Sequence, residues 1–355
     1  MKVRIFSSSH EVLFLALEEI FRKIKNDYML NDFDFVIFAI SDKYYSGDIN
    51  NAIKKIFATD NYVAFNAMRS FCNDTIVEGI SALFIKFERK GKLKVRKVKH
   101  LSEINSSNLN IVIMPYEEGS CQCKKIKNSD IVSIGGVASG EKEAYVYYAD
   151  EIIKHEIVVL EFENIDYEFG ISLGYQPIGP TYKVQVAKDN RLYVINYEDA
   201  SLLARKLLKG LDNDIKNLWF SPVLVVSDKT GYVEVVRTFK DIKDGEYVEF
   251  FGILEPSELI KLSFATEQML LDSDEQTAKN IKKKMPLVDL AFNFSCVARE
   301  YILAERQHEE SLIYTRIFNA PLFGFFTFGE VGPNADGTST KLYNQSSLVV
   351  ALKEK

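Results

Sequence analysis

Apolar segments of strand type and helix type alternate over the first 70 residues, and this order constrains the fold more than any other feature. The segments KVRIF (2–6), FVIFAI (35–40) and NYVAFNAM (61–68) are short and apolar, which is typical of buried strands. Between them, apolar residues recur at helical spacing over residues 13–24 and 48–57. Because such helices carry the chain from one strand to the next across a sheet, this order predicts partly parallel strands covered by helices.

The pattern changes from about residue 75, where many short strands and tight turns follow one another. Helical patterns interrupt them at residues 198–211, 273–285 and 297–310. We therefore expect an α/β fold of the mixed α+β kind, in which layered mixed β-sheets are flanked by helices and form two lobes of similar size. The boundary is predicted near residue 198, which gives domains of residues 1–197 and 198–355.

Composition excludes several classes of function. The chain has 355 residues, of which 47% are hydrophobic and 26% charged, and its net charge is −6. These values are typical of a globular protein and argue against general nucleic-acid binding, which relies on clustered Lys and Arg. The one basic stretch, residues 86–100, is interpreted as a hairpin with solvated lysines. No apolar run is long enough for a membrane span, so we expect a soluble cytoplasmic protein without membrane insertion. Because the cytoplasm is reducing, the four cysteines are expected to be free thiols.

A strand that runs into a helix near residue 295 offers one candidate site. Ser295 is a plausible N-cap, and backbone N–H groups at a helix start attract anions. Cys296 at that point can have a lowered pKa, and Arg299 on the first turn can offer two N–H groups to a carboxylate or phosphate. The alternative is structural: Cys296 is a buried apolar residue, and Arg299 pairs with Glu300 or Glu330.

The aromatic stretch PLFGFFTFGEVGP, residues 321–333, offers a second candidate site. If it is one strand, Phe326, Phe328 and Glu330 share a face on which Gly324 leaves room. A carboxylate beside aromatic rings can accept a hydrogen bond from a ligand amine. The alternative is a core strand that ends in a solvated acid at the turn that Gly329 begins.

Other motifs give no catalytic or metal site. Gly135 and Gly136 begin a segment with the glycine spacing of a P-loop, but Glu141 stands where that motif needs Lys, so they are interpreted as points of close backbone approach. The pair Cys121 and Cys123 lacks the further ligands of a zinc site. Four histidines are isolated in the sequence and fit no metal or triad spacing. They are His10, His100, His155 and His308.

Taken in order, several motifs resemble the FIST family, with its FIST N and FIST C parts. They are IGGVASG (134–140), GISLGYQPIGPTYKV (170–184), RLYVINYEDASLLARKLL (191–208), SCVAR (295–299), PLFGFFTFGEVGP (321–333) and LYNQSSLVV (342–350). The family motifs fall on four residue pairs of this chain: Cys296 with Arg299, Gly329 with Glu330, Asn344 with Gln345, and Gly135 with Gly136. With Phe326 and Phe328 they form the predicted ligand-binding set.

The resemblance implies a sensory module that binds a small ligand, such as an amino acid or a small carboxylate, without catalysis and without a cofactor. Such modules often accompany histidine kinases, chemoreceptors or cyclic-dinucleotide enzymes, and here the partner would be a separate protein. Two alternatives stay open: a haem-binding nitric oxide sensor, and an enzyme with Cys296 as nucleophile. The chain departs from the family pattern at residues 65–75 and at Phe328, where a tyrosine is common.

Overall fold

The computed structural model describes residues 1–27, 33–44, 48–104, 109–116, 133–141, 143–210, 214–227, 233–334 and 340–355. Cys121 and Cys123, which the sequence analysis considered as zinc ligands, lie outside these described residues. Over these residues the chain forms six α-helices and 26 strands in four sheets. The prediction of a mixed α+β fold with layered mixed sheets is confirmed.

The helices are α1 (Leu13–Lys25), α2 (Ile49–Phe57), α3 (Ala200–Leu207), α4 (Glu267–Lys284), α5 (Val297–Leu303) and α6 (Gln307–Phe318). The first thirteen strands are β1 (Lys2–Ser8), β2 (Phe35–Ile40), β3 (Tyr62–Asn66), β4 (Ser70–Cys72), β5 (Thr75–Val77), β6 (Ile80–Lys86), β7 (Lys92–Val98), β8 (Leu109–Met114), β9 (Ser133–Val137), β10 (Val146–Tyr148), β11 (Glu151–Ile153), β12 (Ile157–Glu163) and β13 (Ile165–Ser172). The other thirteen are β14 (Gln176–Lys188), β15 (Arg191–Ile195), β16 (Glu198–Asp199), β17 (Val223–Val226), β18 (Val233–Arg237), β19 (Phe239–Lys243), β20 (Tyr247–Phe250), β21 (Leu259–Phe264), β22 (Leu290–Cys296), β23 (Leu322–Thr327), β24 (Glu330–Pro333), β25 (Thr340–Tyr343) and β26 (Ser347–Glu354).

The first sheet realises the β-α-β-α-β order of the N-terminal segment. Its strand order is β1-β6-β2-β3-β10-β11, and β2 and β3 are parallel neighbours. Helix α1 buries Ala16, Leu17, Ile20 and Ile24, which are the apolar positions that repeat at helical spacing. Since α1 and α2 contribute to one apolar cluster with residues of β2, β3 and β6, they cover one face of this sheet.

Two further sheets combine strands from both halves of the sequence. One has the order β13-β26-β22-β23-β4-β5 and the other β25-β24-β9-β8-β12-β7. The largest apolar core takes residues from these two sheets and from the first one. The predicted boundary near residue 198 falls just before α3. Because these two sheets pair strands from both sides of that boundary, their hydrogen bonds cross it.

The fourth sheet belongs to the middle of the chain and has eight strands. Its order is β18-β17-β21-β14-β15-β20-β19, with β16 paired to β15. Helix α3 packs with these strands in one apolar cluster. On the sheet that contains β22 and β26, helices α4 and α6 form another apolar cluster with Ala291, Leu322 and Val349. No helix in the described part of the chain is both long and apolar enough to cross a membrane.

Gly324 allows the parallel strands β22 and β23 to approach closely, which generates a prediction about stability. A Cβ atom at Gly324 would lie 1.8 Å from the backbone oxygen of Asn293. Gly324→Ala should therefore lower the free energy of unfolding by about 2 kcal/mol or more, because the backbone must shift. Urea unfolding followed by tryptophan fluorescence measures this.

The matched control is Gly332→Ala, whose Cβ would meet only the end of the Leu348 side chain, at 3.0 Å. A smaller loss is expected there because a leucine methyl can move. Equal losses in the two variants would contradict the role given to Gly324.

Candidate functional site

A cavity of about 660 Å³ lies where the eight-stranded sheet approaches the two mixed sheets. Its lining joins the start of α5, the turn between β23 and β24, the β14–β15 hairpin and the short 3-10 helix Ile215–Phe220. A volume of this size lies in the range of ~300–1000 Å³ that is usual for small-molecule sites. The cavity is therefore the first place to look for a ligand.

The floor of the cavity forms where two parallel strands end. Strands β22 and β23 pair in parallel, and Cys296 at the end of β22 faces Thr327 at the end of β23. Because the carboxyl ends of parallel strands meet at one edge of a sheet, the residues that follow them lie side by side, as in many ligand sites. Val297 and Phe328, the next residues along each chain segment, both line the cavity.

The mouth of the cavity carries charged side chains from the middle of the chain. Glu249 is 8% exposed and lies among Lys240 at 2.7 Å, Arg191 at 3.3 Å and Asn190 at 3.2 Å. Burial alone would raise the pKa of Glu249, but these donors outweigh it and the pKa is lowered. Lys188 also lines the cavity and is exposed, and it forms no ion pair with a residue that the structure describes.

Three lining residues carry a buried polar atom that lacks a hydrogen-bond partner among the described residues. These atoms are Nε1 of Trp219, Oγ1 of Thr238 and Oδ1 of Asn344. An unpaired buried polar atom costs about 1–3 kcal/mol, so native proteins usually supply a partner. The lining thus has hydrogen-bonding capacity that the described protein groups do not use.

The structure separates the predicted site residues into two groups. Cys296, Phe328 and Asn344 line the cavity. The others of the predicted set lie outside its lining, in the surrounding protein: Arg299, Glu330, Gly329, Phe326, Gln345, Gly135 and Gly136.

Arg299 lies in a buried cluster outside the cavity lining, and its Nε and Nη1 have no hydrogen-bond partner among the described residues. Its side chain is fully buried, and Nη2 donates to Asp274 at 2.6 Å and lies 3.4 Å from Glu310. The structural alternative named Glu300 and Glu330 as partners, but the carboxylates come from α4 and α6 instead. Glu300 lies 2.6 Å from Arg69.

The same cluster binds the helices to the sheet beneath them. Glu310 accepts hydrogen bonds from Asn293 at 2.9 Å, from Ser295 at 3.1 Å and from Ser347 at 2.7 Å. Ser295 was expected to cap α5, yet it lies inside β22, and Cys296 occupies the N-cap position. The Ser295 hydroxyl donates to Glu310, so it does not cap the first turn of α5.

Glu330 is fully buried and bonded to protein groups. It accepts hydrogen bonds from the hydroxyl of Thr327 and from Ser346, through the backbone N–H at 3.2 Å and the hydroxyl at 2.7 Å. Burial raises the pKa of Glu330 to about 7. It is thus neither the solvated acid of the structural alternative nor an acceptor in the cavity lining.

The assumption of one continuous strand through the aromatic stretch is wrong. Strand β23 ends at Thr327, and Glu330 begins β24, which belongs to a different sheet. The two phenylalanines consequently do not share a face. Phe326 lies in β23 and packs on Phe71, with ring centroids 4.7 Å apart, whereas Phe328 lies in the turn and lines the cavity. A change of sheet within two residues leaves no periodicity that sequence reasoning could detect.

The remaining motif residues have packing roles. A Cβ on Gly135 would lie 1.9 Å from the backbone oxygen of Val112, and one on Gly136 would lie 2.5 Å from the Thr327 side chain. This agrees with close approach to neighbouring protein. Gln345 accepts a hydrogen bond from the hydroxyl of Tyr175.

The chemistry of Cys296 differs from that expected at a helix start. Burial, reinforced by nearby Glu330, raises the pKa of its thiol well above the ordinary value. A lowered pKa was expected from the helix dipole, but desolvation outweighs that effect. Cys296 therefore lines the cavity as a protonated thiol, and it and Cys72 are free.

No group of three or more metal-ligating side chains occurs among the residues that the structure describes. Haem would need an axial ligand, and none of the four histidines, all of them described, lines the cavity. The lining residues thus do not fit a histidine-ligated haem. Cys296 is the cysteine in the described lining, and its raised pKa opposes the thiolate form that a metal binds.

Sequence reasoning missed the mouth of the cavity. Lys188 and Arg191 flank the pair Asp189 and Asn190, which in the sequence indicates only a hairpin turn, and Trp219 belongs to no motif. Trp219 is the one tryptophan in the sequence, which was the single available signal.

Comparison with known proteins identifies relatives. A model of the FIST N domain matches residues 34–198, and a model of the FIST C domain matches residues 200–333. An uncharacterized protein from Aquifex aeolicus (strain VF5) is 30% identical over 263 residues, which are 65% of this chain and 97% of the relative. These matches confirm the resemblance that the motifs indicated.

The buried carboxyl of Glu330 generates a prediction about pH. Its pKa is about 7 in the folded protein and 4.5 as the reference, so the unfolded chain loses this proton at lower pH than the folded protein does. This group's contribution to stability therefore falls as pH rises from about 4.5 to 7, by on the order of 3 kcal/mol. Glu330→Gln lacks the titration, so relative to the original protein it should gain about 2 kcal/mol between pH 5 and pH 8.

Urea unfolding of both proteins at the two pH values tests this. The hydrogen bonds lost on substitution shift both values alike, so the difference between them isolates the proton. A stability gap that is the same at pH 5 and pH 8 would show that Glu330 is ionised when folded.

Proposed function

The chain belongs to the FIST family, whose domains are sensory domains of signal transduction, and we propose that it is a ligand-binding sensory protein. The ligand is a small molecule that occupies the cavity described above. The observation that carries this proposal is the meeting of family-motif residues with a cavity of ligand size: Cys296, Phe328 and Asn344 all lie in its lining.

The floor and mouth of the cavity take different parts in this proposal. Buried atoms of Trp219, Thr238 and Asn344 without described partners give the lining a reason to bind polar groups. Arg299 and Glu330 lie outside the lining, so charged groups of a ligand in the cavity would meet Lys188 or Glu249 at the mouth. Amino acids and small carboxylates are the first ligands to test.

The proposal is for a binding protein and not for an enzyme. Nucleophilic catalysis by Cys296 would need a thiolate and a base within hydrogen-bond reach. Burial keeps this thiol protonated, and Glu330 beside it raises the thiol pKa further. Glu330 itself is occupied by donors from Thr327 and Ser346.

Transmission of the signal would use a separate protein in the cytoplasm, such as a histidine kinase, a chemoreceptor or a cyclic-dinucleotide enzyme. The start of α5 offers a physical link. Cys296, Val297 and Ala298 line the cavity, and Arg299 on the same turn is bonded to α4 and α6. A ligand that moves this turn would therefore act on three helices.

A thermal-shift screen with amino acids, small carboxylates and other metabolites tests the proposal. Ligands that stabilise the protein should raise its melting temperature in a concentration-dependent way. Val297→Trp should abolish the shift, because the larger side chain fills the cavity. The matched control is Val12→Trp, which is 51% exposed at the start of α1 and should keep the shift.

If Val297→Trp folds and still responds to the ligand like the control, the ligand binds elsewhere. Circular dichroism and the melting temperature without ligand show whether each variant is folded.

A further inference from the structure

Aromatic rings form a large part of the wall of the cavity. Six of its lining residues are aromatic, and they come from separate parts of the chain: Tyr116, Tyr193, Trp219, Phe250, Phe251 and Phe328. Trp219 makes an edge-to-face contact with Phe251 at 6.5 Å, and Tyr116 makes one with Phe328 at 5.5 Å. An aromatic ligand ring that packs against such rings gains more binding free energy than burial of its apolar area alone provides.

The charge at the mouth is opposite in sign to that of the whole chain. Lys188, Arg191 and Lys240 stand there against Asp189 and Glu249, an excess of one positive charge, whereas the chain carries −6. Glu249 is committed to Lys240 and Arg191. Lys188 forms no ion pair within the described residues, so it is the cation best placed to meet an anion.

The cavity is also larger than a single aliphatic amino acid requires. Its volume of about 660 Å³ corresponds to roughly 20 water molecules at ~30 Å³ each. A ligand that reaches from the buried floor at Cys296 and Thr327 to the exposed Lys188 would place a terminal acidic group beside that cation.

We propose that the ligand of this cavity is a planar aromatic acid, with its ring against Trp219 and Phe328 and its acidic group beside Lys188. This inference rests on the proposed function, because it specifies the ligand of the same cavity. It follows from three features together: the aromatic wall, the positive excess at the mouth, and the volume.

Two matched pairs of probes test the proposal by isothermal titration calorimetry. Indole-3-acetate and indole-3-acetamide have the same planar ring and differ in charge, whereas phenylacetate and cyclohexylacetate have the same charge on a six-membered ring and differ in aromaticity. The first member of each pair should bind about tenfold more tightly than the second. Low ionic strength is used because salt screens exposed charges.

Two matched lysine variants test the position of the acidic group. Lys188→Gln should weaken indole-3-acetate about fivefold and leave indole-3-acetamide within about twofold, because only the acetate meets the cation. The control is Lys183→Gln, since Lys183 is exposed on the same strand β14 but lies outside the cavity lining. Its affinities should be unchanged.

The outcomes separate this inference from the proposed function. Equal affinities for the acetate and the amide, or equal effects of the two lysine variants, would overturn the acidic-group assignment. Equal affinities for phenylacetate and cyclohexylacetate would overturn the aromatic one. If no probe binds but the thermal-shift screen yields ligands that Val297→Trp rejects, the aromatic-acid inference fails and the sensory function stands. If Val297→Trp leaves every response intact, the ligand binds elsewhere, and the part of the proposed function that places it in this cavity fails as well.

Discussion

The arrangement of the cavity floor depends on the ion pairs that the buried guanidinium of Arg299 forms with two neighbouring helices. A charge that is removed from water is tolerated only with close partners, and here Asp274 from α4 and Glu310 from α6 supply them. Glu310 is in turn bonded to Asn293 and Ser347 of the sheet. Three helices and two strands are therefore fixed around one side chain, and the first turn of α5, which carries Cys296 into the cavity, is fixed with them.

The family-motif residues thus divide between supporting the floor and lining the cavity. Arg299, through Nη2, and Glu330 are bonded to protein groups outside the lining, and these bonds hold the segments from which Cys296, Phe328 and Asn344 reach the cavity. This division explains how a chain can carry strongly polar motif residues at complete burial. Under the proposed function, the charge of a ligand would be recognised by the middle of the chain, at the β14–β15 hairpin.

Local patterns predicted the fold well where the spacing of apolar residues determines which face of a helix or strand is buried. The parallel pair β2–β3 and the buried face of α1 followed from apolar spacing, and the family followed from the order of motifs. Helix ends were less accurate: the helix predicted from residue 273 begins at Glu267, capped by Thr266. The partners of Arg299 could not be predicted, because Asp274 lies 25 residues away and no local pattern encodes contacts between packed helices. For the same reason the cavity mouth, which residues far from Phe328 supply, was missed.

The central claim is that Arg299 supports the site and does not touch the ligand. Measuring both the free energy of unfolding and the affinity of a stabilising ligand in Arg299→Lys tests it most directly, since lysine keeps the charge but loses the planar fork of donors. We predict a loss of stability of about 1–3 kcal/mol and an affinity within about threefold of the original, measured below the melting temperature of the variant. An affinity that falls tenfold or more while the stability is unchanged would contradict the account.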